Sequence, residues 1–423
     1  MFQLQREQTT FRTEMMAGLT SFITVSYIVV VNGAMLAQAG MPYEAAILAT
    51  VFSCVLGGLL MAFWGNSPLI LIPGMGDNAF FTFVLVLSFG LSWRQALAAV
   101  FLAGIVFALV AISKRALAWI SLIPASLIHA MTVGIGIFIA FLGLEKGGLI
   151  AASPDTFVTL GKLGNPHALT TILTLMIGLP LFLRGVTGSF LITIIAGTLI
   201  GTLFGIVDVR SLADFSLSLD GAGYSELLWA FDFSGVASFQ FWIAVFSLSI
   251  VIIFQNMATQ LGMLPDLSKF ARSFQANAFS IVGASLLGCS STTTSGESIT
   301  GIAAGGRTGL TSLTAGLLFL PALLLIPFLK IIPSSAIAPI LIIVGGLMVQ
   351  KVKDIPFEDM TESFPAYLIL VMIPLSFSVA NGIAIGFIAY LFLKMATGRM
   401  KEIPFPMYII SPLFLLYFIL GSL

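Results

Sequence analysis

The groups able to do chemistry are concentrated in one stretch. Gly288–Gly309 reads GCSSTTTSGESITGIAAGGRTG, a run of hydroxyls and small residues around a single carboxylate, Glu297, in a chain that is otherwise mostly apolar. A charge at the centre of a bilayer costs about 3 kcal/mol or more unless it faces protein or water. The residues predict an extended piece over Cys289–Ser295 that opens a short helix after Gly296. Non-helical backbone at membrane depth persists only where protein or a wet cavity satisfies it. The stretch therefore reads as half of a binding site, with Ser295, Gly296 and Glu297 at its tip.

A second stretch has the same form. PGMGDNAF (Pro73–Phe80) also opens a helix from a glycine-containing segment, and in both a carboxylate follows a glycine: Gly76–Asp77 and Gly296–Glu297. A helix N-terminus carries about half a positive charge and free amides. Two of them aimed at one midplane point make a polar pocket inside the bilayer. Two carboxylates sharing a dry site do not comfortably both ionise, so an Asp77/Glu297 pair would carry a proton; capping of its own helix is the other reading for each acid. The amides of Gln255 and Asn256 can donate and accept along the edge of a heterocycle, or they can bond neighbouring helices. Asn32 roughly mirrors Asn256 in the first half. Phe80 can stack on a flat ring, although a chain with 37 Phe has many that only pack. The two His and two Cys form no metal or disulfide pattern. No metal and no cofactor is expected; the expected coupling ion is a proton, with sodium as the alternative.

The elements that must position these groups follow from composition. The chain has 423 residues, 58% hydrophobic and 9% charged, with a mean hydropathy of +1.09, whereas soluble domains carry about 25% charged residues. This is the profile of an all-α polytopic membrane protein embedded in a lipid bilayer. A net charge of zero argues against nucleic acid as a partner. No cleavable signal peptide is evident in MFQLQREQTTFRTEMM. Counted against the roughly 20 residues that a span needs, the apolar segments number about 14. They are 18–37, 43–63, 69–88, 95–112, 125–144, 169–183 and 187–204, then 241–261, 270–287, 298–304, 310–329, 335–349, 365–378 and 383–395, with 407–420 left over. With the N-terminus inside, thirteen of the 18 Lys and Arg face inward, and Arg94, Lys146, Lys162, Arg210 and Lys330 face outward. The loop after the seventh segment is acidic (Asp208, Asp214, Asp220, Glu226, Asp232), which suits the outside.

Seven spans followed by seven more run in opposite orientations, the arithmetic of an inverted repeat. IPASLIHA at Ile123–Ala130 echoes IPSSAIAP at Ile332–Pro339, and the two glycine–carboxylate stretches echo one another more loosely. Interrupted spans at corresponding places, here the third and the tenth, are the best sequence pointer to a transporter site. Short strands are expected in both.

The chain resembles the nucleobase–ascorbate (xanthine/uracil permease) superfamily, and most of all its adenine–guanine–hypoxanthine permease branch. The resembling pieces are Gly18–Asn32, Ile72–Phe81, Ile123–Ile150, SGESITGIAAGGRTGLT at Ser295–Thr311 and Ser378–Phe387. The resemblance implies a core domain (1–122 and 238–330) and a gate domain (123–237 and 331–396), with 397–423 as an extra C-terminal hydrophobic segment. It implies proton symport of a nucleobase by an elevator-like motion in the plasma or inner membrane, often as a homodimer, with Glu297 at the family's span-10 substrate position. Two departures stand out. Gln255 replaces the Asp usual in span 8, and Asp77 replaces the Leu usual after Gly-Met-Gly. The altered span 8 leaves open a same-fold carrier of an aromatic carboxylate or an inorganic anion. No HExxH or GxSxG motif suggests an enzyme.

Overall fold

The computed structural model describes residue 2 and residues 4–113, 122–153, 156–207, 223–323, 331–376 and 379–421. Lys114, Arg115, Asp208, Arg210, Asp214, Asp220, Lys330 and Ser378, and with them part of the charge asymmetry, lie outside the described residues.

Helices form where the apolar runs lie. In chain order they are α1 (Phe11–Val25), α2 (Ile28–Gln38), α3 (Tyr43–Leu60), α4 (Met75–Ala79, continued by a wide π-type turn over Phe80–Ser88), α5 (Trp93–Ile112), α6 (Ala125–Lys146), α7 (Pro166–Leu183) and α8 (Ser189–Leu203). The second half adds α9 (Phe239–Met263), α10 (Phe270–Leu286), α11 (Ser298–Ala303), α12 (Gly309–Ala322), α13 (Ser334–Val349), α14 (Met360–Ser376), α15 (Val379–Ala396) and α16 (Met407–Gly421). Among the described residues four short strands accompany them: β1 (Leu71–Pro73), β2 (Ile150–Ser153), β3 (Phe157–Leu160) and β4 (Thr292–Thr294). Among the described residues seven helices are long and apolar enough to cross a bilayer, with α1 and α2 joined as one rod, Phe11–Gln38; the others are shorter.

Local chemistry sets the starts. Ser92 and Gln95 form a reciprocal capping box ahead of α5. Asn165 caps α7, with Pro166 at the first helical position. At α12 the cap is reinforced from a distance. Buried Glu14 of α1 accepts hydrogen bonds from Arg307 N (2.9 Å), Thr308 N (3.2 Å) and Thr311 Oγ1 (2.6 Å). A carboxylate there satisfies otherwise orphaned amides and complements the helix dipole.

The helices sort into two packing groups. In one, α1 packs on α11 and α12, α3 on α2, α10 and α12, and α5 on α9 and α10. In the other, α6 packs on α13 and α14, α14 on α15, and α7, α8 and α13 on one another. Lipid gives no hydrophobic drive for helices to associate, so close approach of small residues supplies the contact. A Cβ on Gly58 of α3 would lie 2.8 Å from Gly316 Cα on α12. A Cβ on Gly136 of α6 would lie 2.8 Å from Gly345 O on α13. Gly136 and Gly345 are 209 residues apart, the same offset as Ile123 and Ile332. The two echoing motifs thus open helices that cross at equivalent points. In the second group, Lys394, 2% exposed, pairs with Glu362 (2.9 Å) and Glu402 (2.7 Å) and ties the approach to α16 onto α14 and α15.

Candidate functional site

The two glycine–carboxylate stretches meet. β1 and β4 pair antiparallel, with Leu71 opposite Thr294, Ile72 opposite Thr293 and Pro73 opposite Thr292. One strand edge from each half satisfies the other, which permits extended backbone inside a helical membrane domain. The threonines of β4 are held from behind. Asn256 Oδ1 accepts from Thr293 Oγ1 (2.7 Å) and Thr294 N (2.8 Å), and its Nδ2 donates to Ile252 O (2.7 Å). Gln260 Nε2 donates to Thr294 Oγ1 at 2.9 Å, and the Ser280 and Thr292 hydroxyls bond at 2.8 Å. Past the strand, Ser295 N donates to Ile70 O (2.9 Å) and the Ser298 hydroxyl accepts from Ile70 N (3.0 Å), clamping α11 to the start of β1.

In front of the strand tips lies a cavity of about 830 Å³. Its walls come from both packing groups. Thr20, Thr24 and Tyr27, Gly74–Gly76, Gln255 and Thr259, and Thr293–Glu297 belong to the first group. Thr132, Phe182, the turn Gly185–Thr187, Phe190, Leu347 and Met348 belong to the second. Glu297 is half-buried on the wall. Its Oε1 accepts the Tyr27 hydroxyl at 2.8 Å and its Oε2 accepts the Ser295 hydroxyl. Tyr27 meets Phe190 edge to face, with centroids 5.0 Å apart, and Phe190 stacks on Phe182 at 5.3 Å. One side of the cavity is therefore aromatic, and the apolar Leu347 and Met348 complete the wall, Met348 lying close to Gly76. Apolar walls with a few convergent polar groups are the usual make-up of a small-molecule site.

Of the residues singled out from the sequence, Ser295, Gly296, Gln255 and Glu297 come together on the cavity wall. The other four do not. Asp77 is buried behind the glycine backbone, with Oδ2 accepting from the Ser291 hydroxyl at 2.9 Å, so no Asp77/Glu297 pair faces a common hollow. Asn256 is fully engaged in fixing β4. Asn32 donates to Thr50 Oγ1 (2.7 Å) and is within 3.5 Å of Cys289 Sγ, knitting α2 to α3 and to the approach of β4. Phe80 is completely buried in the apolar core. Sequence reasoning missed Tyr27. The available signal was a phenol within a membrane-length apolar run, which needs a hydrogen-bond partner.

Interrupted membrane-embedded segments that meet over a partly polar hollow define a class, that of polytopic membrane carriers. The chain matches the permease family (Xan_ur_permease) over residues 12–385, and it belongs to that family. It is 39% identical over 383 residues to the nucleobase transporter PlAzg2 of Paenibacillus larvae, covering 90% of this chain and 77% of that protein. It is 37% identical over 425 residues to the adenine permease AdeP of Escherichia coli K12, covering 98% of this chain and 94% of that one. Such relatives are permeases, not enzymes. Among solved structures, the transmembrane domain of the cyanobacterial bicarbonate transporter BicA superposes with a TM-score of 0.66 at 18% identity, covering 87% of this chain and 96% of that one, a likeness of fold.

Proposed function

We propose that the protein is a secondary active transporter that takes up a purine or related nucleobase with a proton, by elevator-type alternating access across about 14 spans. The observation that carries this reading is the half-buried Glu297 on the cavity wall at the meeting point of β1 and β4. A flat base edge presents both donors and acceptors. The Glu297 carboxylate accepts from a ring N–H, and the Gln255 amide does either. The cavity volume falls within the roughly 300–1,000 Å³ usual for small-molecule sites. The names of the relatives support a nucleobase. An aromatic carboxylate or inorganic anion is disfavoured, because Glu297 would repel it.

The first packing group, with both strand tips, serves as the moving core and the second as the gate. The cavity reaches the Gly185–Thr187 turn and Ala304, near Arg184 and Arg307; the positive-inside bias supports reading that face as the inner one, with the N-terminus cytoplasmic. On the opposite face, Lys146 of α6 donates to Gln38 of α2 at 2.5 Å, and Phe83 meets Phe138 edge to face with centroids 6.0 Å apart. The arrangement fits an inward-open state. A panel of adenine, guanine, hypoxanthine, xanthine, urate and benzoate, tested for thermal stabilisation of the detergent-purified protein, checks the reading. Stabilisation by one or more purines is expected; stabilisation by benzoate alone would move the protein to the anion class.

A further inference from the structure

Asp77 is unused once the cavity is described. It is 1% exposed, Ser291 donates to its Oδ2, and its Oδ1 meets no hydrogen-bond donor among the described residues. The titratable groups on the elements around it are Tyr27, Tyr43, Glu44 and Cys54, then His129, Glu145 and Lys146 of α6, and Cys289 and Glu297. None bonds or pairs with Asp77 among the described residues. A buried carboxylate oxygen that no protein group donates to demands a positive partner, because an unpaired buried charge is among the costliest groups a fold can hold.

The surroundings indicate which partner. A metal ion needs several oxygens around it. Here one hydroxyl, that of Ser291, reaches the carboxylate, and the neighbouring Asn78 Oδ1 is taken by Ser290 at 2.5 Å. A proton needs no such cage. The route is short. Gly74 and Gly76 line the cavity, and a Cβ on Gly74 would lie 3.0 Å from Asp77 Oδ2, so bare glycine backbone is the partition between carboxylate and cavity. The acid is also mechanically joined to the substrate residue. Ser291 bonds Asp77 and accepts from Gly74 N (3.4 Å), then leads directly through β4 to Ser295, the hydroxyl donor to Glu297.

We propose that Asp77 is a proton-binding site walled off from the substrate cavity, and that it carries the coupling proton while Glu297 holds the substrate. The assignment rests on the transport reading above and divides between two residues the work that a shared acid pair would have done.

The test uses the full chain reconstituted in liposomes, with Asp77→Asn, Asp77→Leu and Glu297→Gln. Infrared difference spectra between acid and alkaline buffer need no substrate. They are expected to show a protonated-carboxyl band in the parent and in Glu297→Gln that is lost in both Asp77 variants. With adenine as probe, the Asp77 variants keep thermal stabilisation to within about twofold in half-maximal concentration. An inward proton gradient of one pH unit raises adenine accumulation by up to about tenfold in the parent, the equivalent of one proton per substrate, and leaves both Asp77 variants unmoved. Three results overturn the proposal: persistence of the band in the Asp77 variants, gradient-driven accumulation by either of them, or accumulation in the parent driven by sodium at equal pH through Asp77. If no purine of the panel binds or moves in the parent, the transport reading fails, and the infrared comparison still decides whether Asp77 takes the proton; if another purine replaces adenine, the same gradient test is run with that purine.

Discussion

The tips of α4 and α11 begin from the same local sequence plan and end as opposites. Each follows a short strand, and each places an acid after a glycine. In α4 the acid is the third helical residue and turns under the strand, where Gly74 is crowded by Thr293 and by Asp77 itself. In α11 the acid precedes the first helical residue, Ser298, beside an exposed Gly296 whose missing Cβ would meet nothing within 4 Å. Both tips touch the cavity, but the acid of one is walled in by protein and the acid of the other is left open to it. Backbone pseudo-symmetry therefore brings the two halves together without making them chemically equivalent, and the open tip is where a ligand can reach a carboxylate.

The contrast can be broken or sharpened by substitution. The largest effect is expected from Glu297→Gln at the open tip. A site built around a hydrogen-bonding group rejects ligands severely once that group is mismatched, so adenine uptake should fall by about 100-fold or more while the melting temperature holds. Uptake at the parental rate would make the two tips functionally alike. Next is Asn256→Ala, directed at the structure behind the strands. It leaves the Thr293 hydroxyl and Thr294 N–H without their buried acceptor, a loss of about 2–4 kcal/mol read as a lower melting temperature with or without ligand. The smallest is Tyr27→Phe. Water in the half-buried cavity partly replaces the lost donor to Glu297, so KM for adenine rises about threefold to tenfold with little change in kcat or melting temperature.

Much of this was legible in the residues. The hydroxyl-rich run around Glu297 marked the open tip because lipid tolerates neither its charge nor its broken backbone. The apolar segments fell where helices formed, and the IPASLIHA and IPSSAIAP echo anticipated the crossing of Gly136 and Gly345. The direction of Asp77 was not legible. Residue type names an acid, but whether it faces the cavity or the strand depends on where the first helical turn begins, a shift of one or two residues. Asn256 and Gln255 are neighbours on α9, yet about 100° of helical rotation separates them. One fixes β4 and the other lines the cavity. Tyr27 and Glu14 were invisible for a different reason: each acquires its role from a partner more than 250 residues away.

The pairing of β1 with β4 has a consequence for how the protein is made. Leu71–Pro73 are synthesised some 220 residues before Thr292–Thr294, their only strand neighbours among the described residues. During that interval the early segment enters the membrane with unbonded peptide groups, each costing several kcal/mol in hydrocarbon. It must wait in the translocation machinery, in water or against a temporary substitute until the later half emerges. A chain truncated before Thr292 therefore carries an exposed polar seam, a ready signal for membrane proteolysis.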